Sequence, residues 1–168
     1  EAFVRNFDRR HLAGAQLAGV DLHGKDFSST DIRWARLSGA NLANANFARA
    51  DMRGCLMDSV DANGADFSGA NLEFAVFGRA NISDSRFSGA NLQQANFVGT
   101  KGHRTDFSAT DLYYSRPGNA DFEGANFCGA NVQRAIFRRA NLRFANFKDA
   151  KGTPNLENAD TEGMTRLA

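Results

Sequence analysis

The side chains of this 168-residue chain that could carry chemistry are His11, His23 and His103, Cys55 and Cys128, and a recurring set of aspartates that includes Asp21, Asp31, Asp51, Asp61, Asp111 and Asp121. Histidine with cysteine could ligate zinc or make an activated thiolate, and paired carboxylates could do general acid–base work. Which of these is open to them depends on the elements that hold them. Those elements are written in a repeat.

In "SGANLANANFARADM", residues 38 to 52, a small residue, then Asp or Asn, then a bulky apolar residue recurs every five positions. On an α-helix a five-residue step turns about 140°, which scatters Leu42, Phe47 and Met52 around the cylinder. In a flat strand the odd step throws successive bulky residues onto opposite faces. Neither element fits. Yet from Phe7 to Phe147 all 29 centres keep one phase, and only Ala62, Gly102 and Pro117 lack a large apolar side chain. Two residues before each centre, from Ala15 onward, stands a small or β-branched residue, with Lys25 the clear exception. Centre and small residue share one side of a locally extended segment, so each unit offers one large and one small group to an interior.

A longer period lies over the first: Phe7, Phe27, Phe47, Phe67, Phe87, Phe107, Phe127 and Phe147 stand 20 residues apart. Four five-residue sides turning about 90° each would close a coil and stack residue n above residue n − 20. At the ~4.8 Å spacing of neighbouring strands the phenylalanines would form a core ladder.

The runs "ADFSGANLEFAVFGRANI" (65–82) and "ADFEGANFCGANV" (120–132) resemble the A(D/N)LXX signature of the pentapeptide-repeat family, over roughly residues 5–151. The resemblance implies an all-β fold, a right-handed quadrilateral parallel β-helix of about seven coils. The centre and the residue two before it would lie inside and the other three outside. Residues 1–151 read as the β-helix and 152–168 as an irregular last turn and cap. There Gly152 and Glu157 fall at expected centres, and a frame shift to Leu156 and Thr161 restores the pattern.

On this frame the chemistry dissolves. The histidines point outward, and His23 and His103 stand four coils apart, ~19 Å by strand spacing. Cys55 takes an inward small position and Cys128 an outward one on a different side, so neither a zinc cluster nor a Cys–His pair results. Most aspartates sit at the resembled family's consensus position. No glycine-rich stretch has phosphate-loop spacing, and a rod filled by its own side chains leaves no interior pocket. No catalytic residue, cofactor or metal is expected, and the chain does not read as an enzyme.

Charge and hydropathy narrow the partners. Twenty Lys plus Arg against 19 Asp plus Glu give +1, which points to no nucleic acid. No window nears the ~18 apolar residues that span a bilayer, so no membrane insertion is expected. The chain reads as soluble, in a bacterial cytoplasm or, if Glu1 follows a removed targeting segment, in an organelle compartment such as the thylakoid lumen.

One side departs from the rest. The residue before the centre is Asp or Asn in most units of three columns, but in the column of Leu17 it is Gln16, Arg36, Leu56, Val76, Asn96, Arg116 and Ile136. At the corner leading into that column stand Trp34, Phe74 and Tyr114, 40 residues apart and hence on alternate coils. With Leu56, Val76, Val98 and Ile136 they predict a long exposed apolar stripe, bordered by Arg33, Arg36, Arg53, Arg79, Arg116, Arg138 and Arg139. Aromatic and Arg enrichment in an apolar patch marks a protein interface. Terminal segments folding over this side, or these residues packing among themselves, are the competing reading. The breaks at Gly102 and Pro117 read as repeat decay tolerated at a loop, with a bulge aimed at a ligand as the alternative.

The expected function is therefore a non-catalytic binding or scaffold protein, holding a protein partner or a second copy of itself, or serving as a peripheral subunit of a larger assembly. The alternative comes from the resemblance: some family members mimic duplex DNA and protect gyrase or topoisomerase IV. That role needs a strongly negative rod, which a net of +1 disfavours.

Overall fold

The computed structural model describes residues 12–165; Phe7 and His11 lie outside the described residues. Each five-residue unit is one side of a four-sided coil. Side 1 carries the centres Leu12, Ile32 and Met52, side 2 Leu17, Leu37 and Met57, side 3 Leu22, Leu42 and Ala62, and side 4 Phe27, Phe47 and Phe67. Single-residue parallel bridges join each side to its equivalent one coil on, from Gln16↔Arg36 to Asn131↔Lys151, every one 20 residues apart. The fold is an all-β quadrilateral parallel β-helix.

Backbone hydrogen bonding explains why five residues close one side, because four of the five N–H groups have a fixed main-chain acceptor. On side 2, the N–H of Leu37 donates forward to Leu56 O (2.8 Å) and that of Arg36 donates back to Ala15 O (2.9 Å). Gly39 N–H donates forward to Asp58 O (2.9 Å), and Ala40 N–H closes the corner onto Leu37 O (2.8 Å). That last bond makes a four-residue turn whose third residue has positive φ, the type II form. Glycine takes this position in many units, but among the described residues 18 non-glycine residues also do.

The fifth N–H, on the residue after the centre, has no main-chain acceptor. The Asp or Asn before the centre supplies one: Asp66 Oδ1 accepts from Ser68 N–H at 2.8 Å and Asn46 Oδ1 from Ala48 N–H at 3.0 Å. This is the physical reason for the recurring Asp/Asn. The carboxylates are turn caps, and several Asn also donate to the cap one coil back, as Asn126 does to Asp106 (3.0 Å).

Centres and small residues fill the interior. Phe27, Phe47, Phe67, Phe87, Phe107, Phe127 and Phe147 stack with ring centroids 4.6 to 5.3 Å apart. A second stack on side 2, Phe77 on Phe97 at 4.9 Å, meets the first edge-to-face. The sequence reading had not foreseen it. Offset stacking in one direction and edge contacts in the other satisfy the ring quadrupoles together.

The two breaks are neither loop nor bulge. The Asn81↔Lys101↔Asp121 bridges keep register beside Gly102, whose N–H donates forward to Asp121 O at 2.8 Å, and Gly102 is buried. Pro117 lacks the N–H that would donate forward to Ile136 O, and Arg116 and Ile136 form no bridge, but Ala120 N–H still closes its turn onto Pro117 O (3.3 Å). After Lys151 the step falls to 19: Ile136↔Asn155, Asn141↔Asp160 and Asn146↔Thr165. The coil continues one residue short, and Leu156, Ala159 and Met164 pack partly buried against the core.

Candidate functional site

The corner between sides 1 and 2 gathers three exposed aromatic residues. Trp34, Phe74 and Tyr114 are 61%, 45% and 41% exposed, each at the positive-φ turn position, with φ of 60°, 61° and 56°. For an L residue this conformation costs roughly 1 kcal/mol, and for a bulky ring it is uncommon. Glycine takes the same corner at Gly14 and Gly54. The Trp34 ring lies over Gly54, where a Cβ would come within 2.1 Å of it. Arg134 lies over the Tyr114 ring, 5.1 Å from its centroid, and bonds its hydroxyl.

Arg33, Trp34, Arg53, Glu73 and Phe74 line a shallow cleft of about 200 Å³. Both arginines are pinned: Arg33 Nη2 lies 2.7 Å from Asp31 Oδ2, and Arg53 Nη2 lies 2.7 Å from Asp51 Oδ2. The bond from Arg53 holds the Asp51 carboxyl below its ordinary range.

Beside that corner, side 2 presents Arg36, Leu56, Val76, Asn96 and Arg116 as one bridged column. Arg36 and Arg116 are exposed. Leu56, Val76 and Ile136, expected to be exposed, are half-buried instead, because neighbours one coil away flank each side chain. Side 2 also lacks the caps: only Asn96 provides one, to Val98 N–H at 2.9 Å. The N–H groups of Ser38, Asp58, Gly78, Gly118 and Arg138 make no hydrogen bond among the described residues. The far corner carries Arg79 and Arg139. Arg36, Arg79, Arg116 and Arg139 form no salt bridge among the described residues, whereas Arg138 is held by Glu157 at 3.0 Å.

The remaining reactive groups are scattered. No cluster of three His, Cys, Asp or Glu that could hold a metal occurs among the described residues. His103 is tied to Asp121 at 2.5 Å. Cys55 is buried and donates to Ile32 O at 3.0 Å, and burial pushes its thiol up to about 12. No described helix is long and apolar enough to cross a membrane. Sequence reasoning missed Phe144, 56% exposed at another positive-φ corner with its ring over Gly163 and Arg143 stacked on it at 5.5 Å. Its place two residues after the centre Leu142 was the available signal. The uncapped N–H row was also missed, though the absent Asp/Asn had marked it.

A family model described as Pentapeptide repeats matches the chain in eight copies, over residues 6–42, 35–73, 80–113 and 119–151. No curated protein matches it in sequence. Among solved structures, it is similar to HetL, a pentapeptide repeat protein involved in heterocyst differentiation regulation in the cyanobacterium Nostoc sp. strain PCC 7120, at 19% identity over 94% of this chain and 91% of that one, with a TM-score of 0.55. Full-length QnrB1, a plasmid-mediated fluoroquinolone resistance protein, aligns at 16% identity over 89% of this chain and 90% of that one, TM-score 0.46. A pentapeptide repeat protein of the Arabidopsis thaliana thylakoid lumen aligns at 22% identity over 73% and 71% respectively, TM-score 0.35.

Proposed function

The chain belongs to the pentapeptide-repeat family, and from that premise we propose that it is a non-catalytic binding or scaffold protein that holds a protein partner on side 2 and its aromatic corner. The observation that carries this reading is the trio Trp34, Phe74 and Tyr114. Each is exposed, and each occupies a turn position where glycine would relieve strain. Bulky residues held in an unfavourable conformation with little burial to offset it are a mark of function rather than of folding. Aromatic residues beside arginine are also the composition of binding hot spots.

A phosphate-mimicking role has less support. A DNA mimic presents acceptors, whereas one oxygen of each consensus Asp or Asn of this rod is engaged in capping its own turn, as in Asp66 and Asn46, and side 2 offers donors.

The test is a crosslinking pull-down from native extract with the wild-type chain and a Trp34→Gly, Phe74→Gly double variant. Both substitutions suit positive φ, so the fold is retained. A partner held by the wild type and released by the folded variant supports the reading. A partner held equally by both overturns it.

A further inference from the structure

We propose that the segment docking on side 2 is an acidic, amphipathic stretch of protein, its carboxylates over the arginine edge and its apolar side chains over the aromatic edge. This rests on the reading above and adds the chemistry of the partner.

The argument comes from donor and acceptor counting. On sides 1, 3 and 4, Asp or Asn oxygens cap the N–H that follows most centres, as Asn41 does for Ala43 at 3.1 Å and Asp106 for Ser108 at 3.0 Å, with the N–H groups of Ser88 after Arg86 and His103 after Lys101 as uncapped exceptions. On side 2 the caps are replaced by Arg36, Leu56, Val76, Arg116 and Ile136, so a row of turn N–H groups at 38, 58, 78, 118 and 138 is left open along the rod. The same edge carries Arg79 and Arg139, and Arg36 and Arg116 stand within the side. All four lack a salt-bridge partner among the described residues. The acids here are Asp58 and Glu157, and Arg138 already holds Glu157.

Side 2 is thus rich in donors and poor in acceptors on a chain whose net charge is only +1. Backbone N–H and guanidinium donors are both met best by carboxylates, and charge-assisted bonds are the strong ones. The half-buried Leu56 and Val76 and the exposed Trp34 and Phe74 favour a protein over a nucleic acid, because they offer apolar area to a partner that has apolar side chains to match.

The probe is a labelled peptide of about 20 residues, enough for one side of an interface, built from Glu and Leu, with a Lys/Leu counterpart and a duplex DNA oligonucleotide as comparisons. The wild-type chain is expected to bind the Glu/Leu peptide and not the Lys/Leu one, more weakly as salt rises. Binding should fall roughly tenfold or more in Arg36→Glu, Arg79→Glu, Arg116→Glu and stay unchanged in Arg49→Glu, Arg86→Glu on side 4. The corresponding Arg→Gln variants replace the Glu set if thermal melting shows that it fails to fold. Equal binding of the Lys/Leu peptide, tighter binding of DNA, no binding of the Glu/Leu peptide, or indifference to the side 2 triple change would each overturn the inference. The pull-down separates the two readings: a partner released by Trp34→Gly, Phe74→Gly but kept by the triple arginine variant leaves the scaffold reading standing and removes the acidic partner.

Discussion

Phe122 fills the space in which a side chain on Gly102 would begin: a Cβ on Gly102 would stand 2.6 Å from Phe122 Cε1 and 2.7 Å from Cδ1. The two are stacked on side 3, and the ring leans from there to meet Phe97, Phe107 and Phe127 edge-on. One residue has given up volume that its neighbour one coil on has taken.

Gly102 does not have positive φ, so alanine suits its backbone and Gly102→Ala tests volume alone. It should destabilise the fold by about 1–3 kcal/mol through overpacking, and by clearly less in a Phe122→Leu background. A double-mutant cycle from denaturant melts measures the coupling; additive effects would show that the pair is not coupled.

Phe87 stacks between Phe67 and Phe107 at 4.7 and 5.2 Å and meets Phe77 and Phe97 edge-on. Phe87→Ala should cost ~3–5 kcal/mol, from lost burial and a cavity that a closed coil cannot collapse. A loss below about 1 kcal/mol in the same melts would contradict the stacked core.

Gly54→Ala puts a methyl group where the Trp34 ring lies and strains a φ of +65°. The expected cost is about 1–2 kcal/mol, with the ring displaced from the next coil. Trp34 is the one tryptophan in the chain, so its emission anisotropy should fall and acrylamide quenching rise. Unchanged fluorescence would place the ring elsewhere.

The thiols should separate cleanly. With its pKa pushed up to about 12 by burial, Cys55 stays protonated and shielded at pH 8, while half-buried Cys128 remains accessible. One thiol should react with a chromogenic disulfide in the native protein and a second only on unfolding; two native thiols would mean that the coil around Cys55 opens readily.

The five-residue phase, the 20-residue register and the one-residue shift to Leu156 were legible because each interior position tolerates few residue types. The Gly102–Phe122 exchange was not. Sequence shows a missing large side chain at residue 102, but whether a neighbour fills the gap depends on how the ring at residue 122 tilts. The second phenylalanine stack was hidden for a similar reason, since Leu17, Leu37 and Met57 open its column and only the later coils make it aromatic. At the candidate site, the outward places of Trp34, Phe74 and Tyr114 followed from phase alone. The half-burial of Leu56 and Val76 did not, because it comes from neighbours 20 residues away in the chain. The open N–H row became visible only when each donor was traced to its acceptor.

The bridges that join consecutive coils have a mechanical consequence. They all point along the rod, so a pull on its two ends loads the coils in series, and the outermost coil, bridged to a neighbour on one side only, gives way first. Force spectroscopy should record a train of small peeling events, each releasing about 65–70 Å for a 20-residue coil, and a single all-at-once rupture would contradict it. A load applied across the rod meets the stacked rings of many coils together, so the molecule should be compliant lengthwise and stiff in the direction from which a partner on side 2 would press.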